Sequence, residues 1–264
     1  MAELKDKDRV KSLEKGLTLL IVLSQQDQDL LLDDLTRLAG LSRTSCFRLL
    51  QSMKALNFVE QDPHSKRYRL GARNISIGAA ALNNLSLRQI SLPFMKKLRQ
   101  ETDETINLSI LHDTEIVFIE RLEARHIINT RLRIGSRLPA YCTCMGKAIL
   151  AYLPQYKLNR ILEEFQFERK TENTIVSAEA LKRELEDVRV HERALNNEEL
   201  EKGLCAIASP ILNYTGEAVA ALNVSFPLVR HSMGEAIRDF APLVKEACRE
   251  ISSHFGFQGA KGRS

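Results

Sequence analysis

The chain has 264 residues, 44% hydrophobic and 27% charged, with 38 Lys and Arg against 34 Asp and Glu. That composition suits a packed soluble protein and excludes a disordered one, and the length admits one large domain or two small ones. The densest apolar stretch, Leu17 to Leu23, is too short to span a bilayer, the polar N-terminus has no signal-peptide core, and five cysteines read as a reduced cytoplasmic thiol set.

Leu13, Leu17, Leu20 and Ile21 stand at i, i+4, i+7 and i+8. The spacing predicts an amphipathic helix with that stripe as its core face. Leu32, Leu35, Leu38 and Ala39 form a second, short stripe, stopped by Gly40. Ser42 is placed to cap a third helix, whose core stripe is Cys46, Leu49, Leu50 and Met53. A short helix, a tight turn and a longer helix over 31–56 are the layout of a helix-turn-helix. Phe58 and Val59 then start a strand, and Asp62-Pro63-His64-Ser65 signals a turn. In the returning strand Tyr68 and Leu70 alternate with Arg67 and Arg69, which puts the basic pair on one face. The whole reads as a winged helix-turn-helix over 9–71.

The modest net charge of +4 is unevenly placed. Residues 41–73 hold Arg43, Arg48, Lys54, Lys66, Arg67, Arg69 and Arg73 against only Glu60 and Asp62, while residues 24–34 hold four Asp and no base. The positive field gathers on the third helix and the wing, the elements that meet DNA in this architecture. Helical geometry turns Thr44, Arg48 and Gln51 away from the core stripe, with Ser45 and Phe47 beside them. Arg48 and Gln51 can read base edges, and Phe47 can touch a thymine methyl. Ser42, Arg43, Lys66, Arg67 and Arg69 suit phosphate contacts. The same layout also occurs in small protein-interaction modules, where such arginines are merely solvated.

Residues 72–86 read as a helix bridging two domains. Beyond it, over 87–257, Leu92, Met95 and Leu98 suit a helix, and 105–111 with 115–121 suit a hairpin. Residues 126–134 suggest another strand. Gly146 to Leu153 reads as a helix closed by Pro154, and Ser177 caps a helix carrying Leu181, Leu185 and Val188. Leu204–Leu212 and Ala218–Val224 are strands joined by the turn Asn213-Tyr214-Thr215-Gly216. Phe240, Val244, Ala247 and Ile251 stripe a final helix. An antiparallel sheet flanked by helices makes the fold class α+β.

Two separated stretches resemble the IclR family of bacterial transcriptional regulators. One is LLLDDLTRLAGLSRTSCFRLLQSMKALNFVE with KRYRLG. The other joins GSRLPAYCTCMGKAILAYLP (135–154) to NEELEKGLCAIASPILNYTGEAVAALNVS (197–225). The wording LPAYCT-x-MG and AALNVS is nearest the branch that regulates protocatechuate, 4-hydroxybenzoate and β-ketoadipate metabolism. The resemblance implies a DNA-binding regulator, not an enzyme, with a GAF- or PAS-like effector-binding domain. It implies a homodimer or tetramer on a palindromic double-stranded operator, a small organic acid as effector, RNA polymerase as a further contact, and no cofactor. It carries effector contacts over to Cys144, Met145, Asn196, Ala206, Asn223 and Ser225. The chain departs from the family where Ala206 replaces the usual Cys or Ser and Asn196 a frequent acid. Its Cys205 is one position early, which on a strand points to the opposite face.

A rival reading makes Cys142, Cys144 and Cys205 a thiol or metal sensor. Its spacing is not the C-x₂₋₄-C pair of zinc sites, and the histidines are scattered. No G-x-S-x-G, P-loop or G-x-G-x-x-G occurs.

Overall fold

A computed structural model describes residues 9–26, 28–83, 86–125 and 132–258. The chain divides into two compact units, Met1–Asn84 and Leu85–Ser264.

The first unit contains helices α1 (Lys11–Ser24), α2 (Leu32–Ala39) and α3 (Arg43–Ala55). The strands β1 (Val59–Gln61) and β2 (Tyr68–Leu70) follow, then helix α4 (Ala72–Asn83). Gly40 takes a left-handed φ of 63°, and its N–H returns to the Arg37 carbonyl, so α2 stops where α3 must turn away. Ser42 then caps α3 by accepting from the Ser45 N–H at 3.4 Å. The wing pairs Val59 with Leu70 and Gln61 with Tyr68. Its turn is held by Asp62, whose Oδ1 accepts the N–H groups of His64 and Ser65 at 3.0 and 2.6 Å. Tyr68 also exchanges backbone hydrogen bonds with Leu30. Leu19, Leu23, Leu35, Cys46, Leu50, Val59 and Tyr68 form the core.

The face of α1 differs from the expected one. Leu13, Leu17 and Ile21 are 60%, 50% and 56% exposed, and Gly16, Leu19 and Leu23 are buried instead. Leu38 of α2 is exposed too. Residues 19–23 are apolar on every side, so periodicity alone cannot select the inward face. Gly16 selects it: a Cβ there would lie 3.0 Å from the Met53 methyl. A glycine lets α3 approach α1 closely, and the leucines on the far side are left outside.

The second unit runs α5 (Ser86–Thr102), β3 (Thr105–His112), β4 (Glu115–Leu122), β5 (Arg137–Pro139), α6 (Cys144–Leu150) and α7 (Gln155–Glu164). It continues with α8 (Ala178–His191), β6 (Ala194–Asn197), β7 (Leu204–Leu212), β8 (Ala218–Pro227) and α9 (Met233–His254). The six strands form one antiparallel sheet in the order β5-β4-β3-β8-β7-β6. One face carries α9, with Phe226 against Phe240 at 5.6 Å between centroids. The other carries α6 over Ile116, Phe118, Ala206, Ala208 and Ala221. The strand expected over 126–134 is not formed by residues 132–134, which make a loop and turn before β5; 126–131 lie outside the described residues. Helix α6 starts at Cys144, two residues before the expected Gly146.

Candidate functional site

In the first unit, α3 presents Thr44, Phe47 and Arg48 to solvent, with Ser45 and Gln51 half-buried beside them. Cys46 and Leu50 anchor the opposite side. Ser42 and Ser45 are joined by their hydroxyls at 3.0 Å, so both build the helix start. The basic residues fall into two groups. Arg43 is paired with Asp33 of α2, and Arg69 with Glu60 across the hairpin at 3.0 Å. Arg67 donates to the Asp29 carbonyl at 2.7 Å, a contact that ties the wing to the segment before α2. Arg67 therefore does not share the outward role expected of Arg69. Arg48 on α3 and Lys66 at the wing tip are exposed. Both lack an ion pair among the described residues.

In the second unit, register brings distant residues into two rows on the α6 side of the sheet. Asn196 pairs with Ala206, Ala206 with Ser225, and Ser225 with Thr105. The next row runs Ala194, Ala208, Asn223, Asn107 and Arg121. Directly opposed residues of antiparallel strands share a face, so polar groups from four strands converge where α6 begins. Asn223 Nδ2 lies 3.5 Å from the Cys144 sulfur. The Ser109 hydroxyl lies 3.2 Å from the Met145 sulfur. Ala206 and Ala208 fill little space beneath them.

Thr143 caps α6 by accepting from the Gly146 N–H at 3.2 Å. A Cβ on Gly146 would lie 2.1 Å from the Ala140 carbonyl oxygen, so only glycine lets α6 meet the turn at 140–142. Asn196 is spent on structure: it donates to the Cys142 carbonyl at 3.0 Å and accepts from the Glu199 N–H at 3.1 Å. Cys205 pairs with Phe226 and hydrogen-bonds Asn197 Oδ1, on the face opposite Ala206.

Three groups escaped sequence reasoning. Lys147, 1% exposed, donates to Glu184 at 2.8 Å and Glu199 at 2.6 Å. Burial works against its cation, but the two carboxylates outweigh it and raise its pKa. Burial raises the Glu199 carboxyl, with Lys147 pulling it the other way. Asn107 and Arg121 are the others. Asn107 was visible as a polar residue between Ile106 and Leu108, but its partner 116 positions away was not.

Burial pushes the Cys142 and Cys144 thiols up to about 11 and Cys248 to about 12, and also raises Cys46 and Cys205. Among the described residues no group of three or more His, Cys, Asp or Glu is placed to hold a metal. Neither observation supports the thiol or metal sensor. A cavity of about 1030 Å³ lies toward the other end of β7, among Tyr152, Arg189, Lys245, Arg249 and Phe257. It contains none of the expected effector residues.

A family model described as the IclR helix-turn-helix domain matches residues 12–63. A second, described as the bacterial transcriptional regulator IclR C-terminal, matches 79–253. The chain belongs to the IclR family. This family member is 34% identical to the HTH-type transcriptional regulator KdgR of Escherichia coli over 253 residues, covering 96% of the chain and 95% of KdgR. It is 31% identical to XynR of the same organism over 248 residues, covering 94% of the chain and 98% of XynR. The crystal structure of Thermotoga maritima IclR superposes with a TM-score of 0.74 at 28% identity, covering 94% of the chain and 100% of that structure. The chain is thus an IclR-type DNA-binding transcriptional regulator, and its relatives are regulators, not enzymes. These matches do not carry the protocatechuate and 4-hydroxybenzoate branch. Among the described residues no helix is long and apolar enough to cross a membrane.

Proposed function

We propose that this IclR-family member works in the cytoplasm as a homodimer or dimer of dimers on a palindromic operator, and that a small organic acid resets its affinity. In this reading α3 enters the major groove. Arg48, Gln51, Thr44 and Phe47 meet bases with Ser45 beside them, while Ser42, Arg43, Lys66 and Arg69 settle the phosphate register and Arg67 holds the wing against the segment before α2. The effector binds among Cys144, Met145, Ala206, Asn223 and Ser225, with Asn196 holding the turn before α6 beside them. Binding favours one domain arrangement over another, and operator affinity or contact with RNA polymerase follows.

The observation that carries the effector reading is the pair of polar rows buried against α6 in an otherwise apolar core. Asn196 and Asn107 already have protein partners at both ends, so a ligand gains affinity and specificity from the donors left over among the described residues, the second Asn223 N–H and the Ser225 hydroxyl. The sequence around Cys142 to Met145 and Ala220 to Ser225 favours an aromatic or keto acid controlling a catabolic operon. A thermal-shift screen of aromatic and keto acids tests the reading. At least one is expected to raise Tm in the wild type, and less so in Asn223→Ala with Ser225→Ala; unchanged affinity in the double variant rejects the site.

A further inference from the structure

One row of the effector site has a direction written into it. Arg121 Nη1 donates to Asn107 Oδ1 at 2.7 Å, Asn107 Nδ2 donates to Asn223 Oδ1 at 2.8 Å, and Asn223 Nδ2 meets the Cys144 sulfur at 3.5 Å. The Asn107 and Asn223 side chains are buried, and the Arg121 side chain is 7% exposed although Glu123 beside it is largely open. A guanidinium has donors and no acceptor. An amide has both, on opposite prongs, and a buried amide turned the wrong way leaves donor facing donor. Arg121 therefore obliges Asn107 to turn its oxygen toward β4. Asn107 must then offer its NH₂ to Asn223, and Asn223 must offer its own NH₂ to Cys144 and the site beyond.

We infer that Arg121 is a positioning residue for effector specificity. Through Asn107 it locks Asn223 with its NH₂ toward Cys144 and the site, so a carboxylate, which accepts on both prongs, meets that donor in either orientation, while a neutral amide of the same shape meets it in only one. The inference rests on the organic-acid reading and deepens it. Arg121 acts at a distance, across two amides, and need not touch the ligand. Burial supports the same picture: it holds the Arg121 pKa below the ordinary arginine value while Glu123 pulls it up, and the cation still has only donors to give.

The test uses the full-length protein, benzoate with benzamide and pyruvate with pyruvamide, and affinities from thermal shift and calorimetry. Arg121→Met removes the fixed donor and frees both amides to turn. Asn107→Asp keeps the shape but offers an oxygen to each neighbour, so Asn223 must turn its NH₂ inward and its oxygen toward the site. The wild type is expected to prefer an acid to its amide by about tenfold or more. Arg121→Met should reduce that ratio toward one, and Asn107→Asp should reverse it. Both effects should persist at high salt, because they come from orientation and not from long-range charge. If acids bind but either variant keeps the wild-type ratio, the relay is wrong and the organic-acid reading survives. If no acid binds the wild type, both fall together.

Discussion

Lys147 shows how much a single residue can hold. Its ammonium ties α6 to α8 through Glu184 and to the segment after β6 through Glu199, whose backbone N–H is in turn held by Asn196. Lys147→Met removes the cation and leaves buried Glu199 without its partner, and breaking such a pair costs about 3–5 kcal/mol. Denaturant unfolding at neutral pH should show that loss. The loss should shrink as pH falls toward the ordinary carboxylate range, because the raised pKa of Glu199 lets it shed its charge in the folded state. In the wild type the raised pKa of Lys147 gives a contribution that is present below the ordinary lysine value and fades as alkali titrates the folded cation. Gly146→Ala makes a complementary point. Its methyl would collide with the Ala140 backbone, so a loss of about 1–3 kcal/mol is expected by the same measurement. At this scale the sequence was least informative. Nothing local to Lys147 points to residues 37 and 52 positions away. Asn196 stood out as a ligand, yet both ends of its amide are committed to backbone.

Elements were far more legible, because caps and periodicities are local. Gly40, the Ser42 cap, the hairpin turn at Asp62 and the helix begun by Ser177 all stand where the sequence places them. Strand register was partly legible: alternation put Asn223 and Ser225 on one face, but only pairing reveals Asn107 and Arg121 in the same row. The inward face of α1 was not legible, for want of a local signal beyond Gly16. Its outward stripe of Leu13, Leu17 and Ile21, with Val10 just before the helix, is at least half exposed at every position and sits in the unit that the proposed dimer must place twice on one operator. Leu17→Glu is expected to shift the protein toward smaller species in sedimentation equilibrium and to weaken operator binding, with little change in the stability of the first unit. On α3 and the wing, Arg48→Ala should relax sequence preference by about 1–3 kcal/mol. Lys66→Ala should weaken all sequences alike and lower the salt slope by about one. Footprints and affinities over a salt series separate the two.

For the whole molecule, the mild charge of +4 conceals a division of labour. A basic helix and wing occupy a unit of their own, and the polar rows against α6 occupy the other. The family matches cover both units, an IclR helix-turn-helix domain in the first and an IclR C-terminal domain in the second. Coupling between them requires only that an effector bind one domain arrangement better than another. The most direct test titrates the protein onto DNA from the promoter it controls, with and without a stabilising acid from the thermal-shift screen, for the wild type and Asn223→Ala. The acid is expected to change wild-type operator affinity by about tenfold, a coupling of about 1.4 kcal/mol. Asn223→Ala is expected to bind the operator normally and no longer respond. An equal response in both proteins, or none in the wild type while the acid is bound, would contradict coupling through this site.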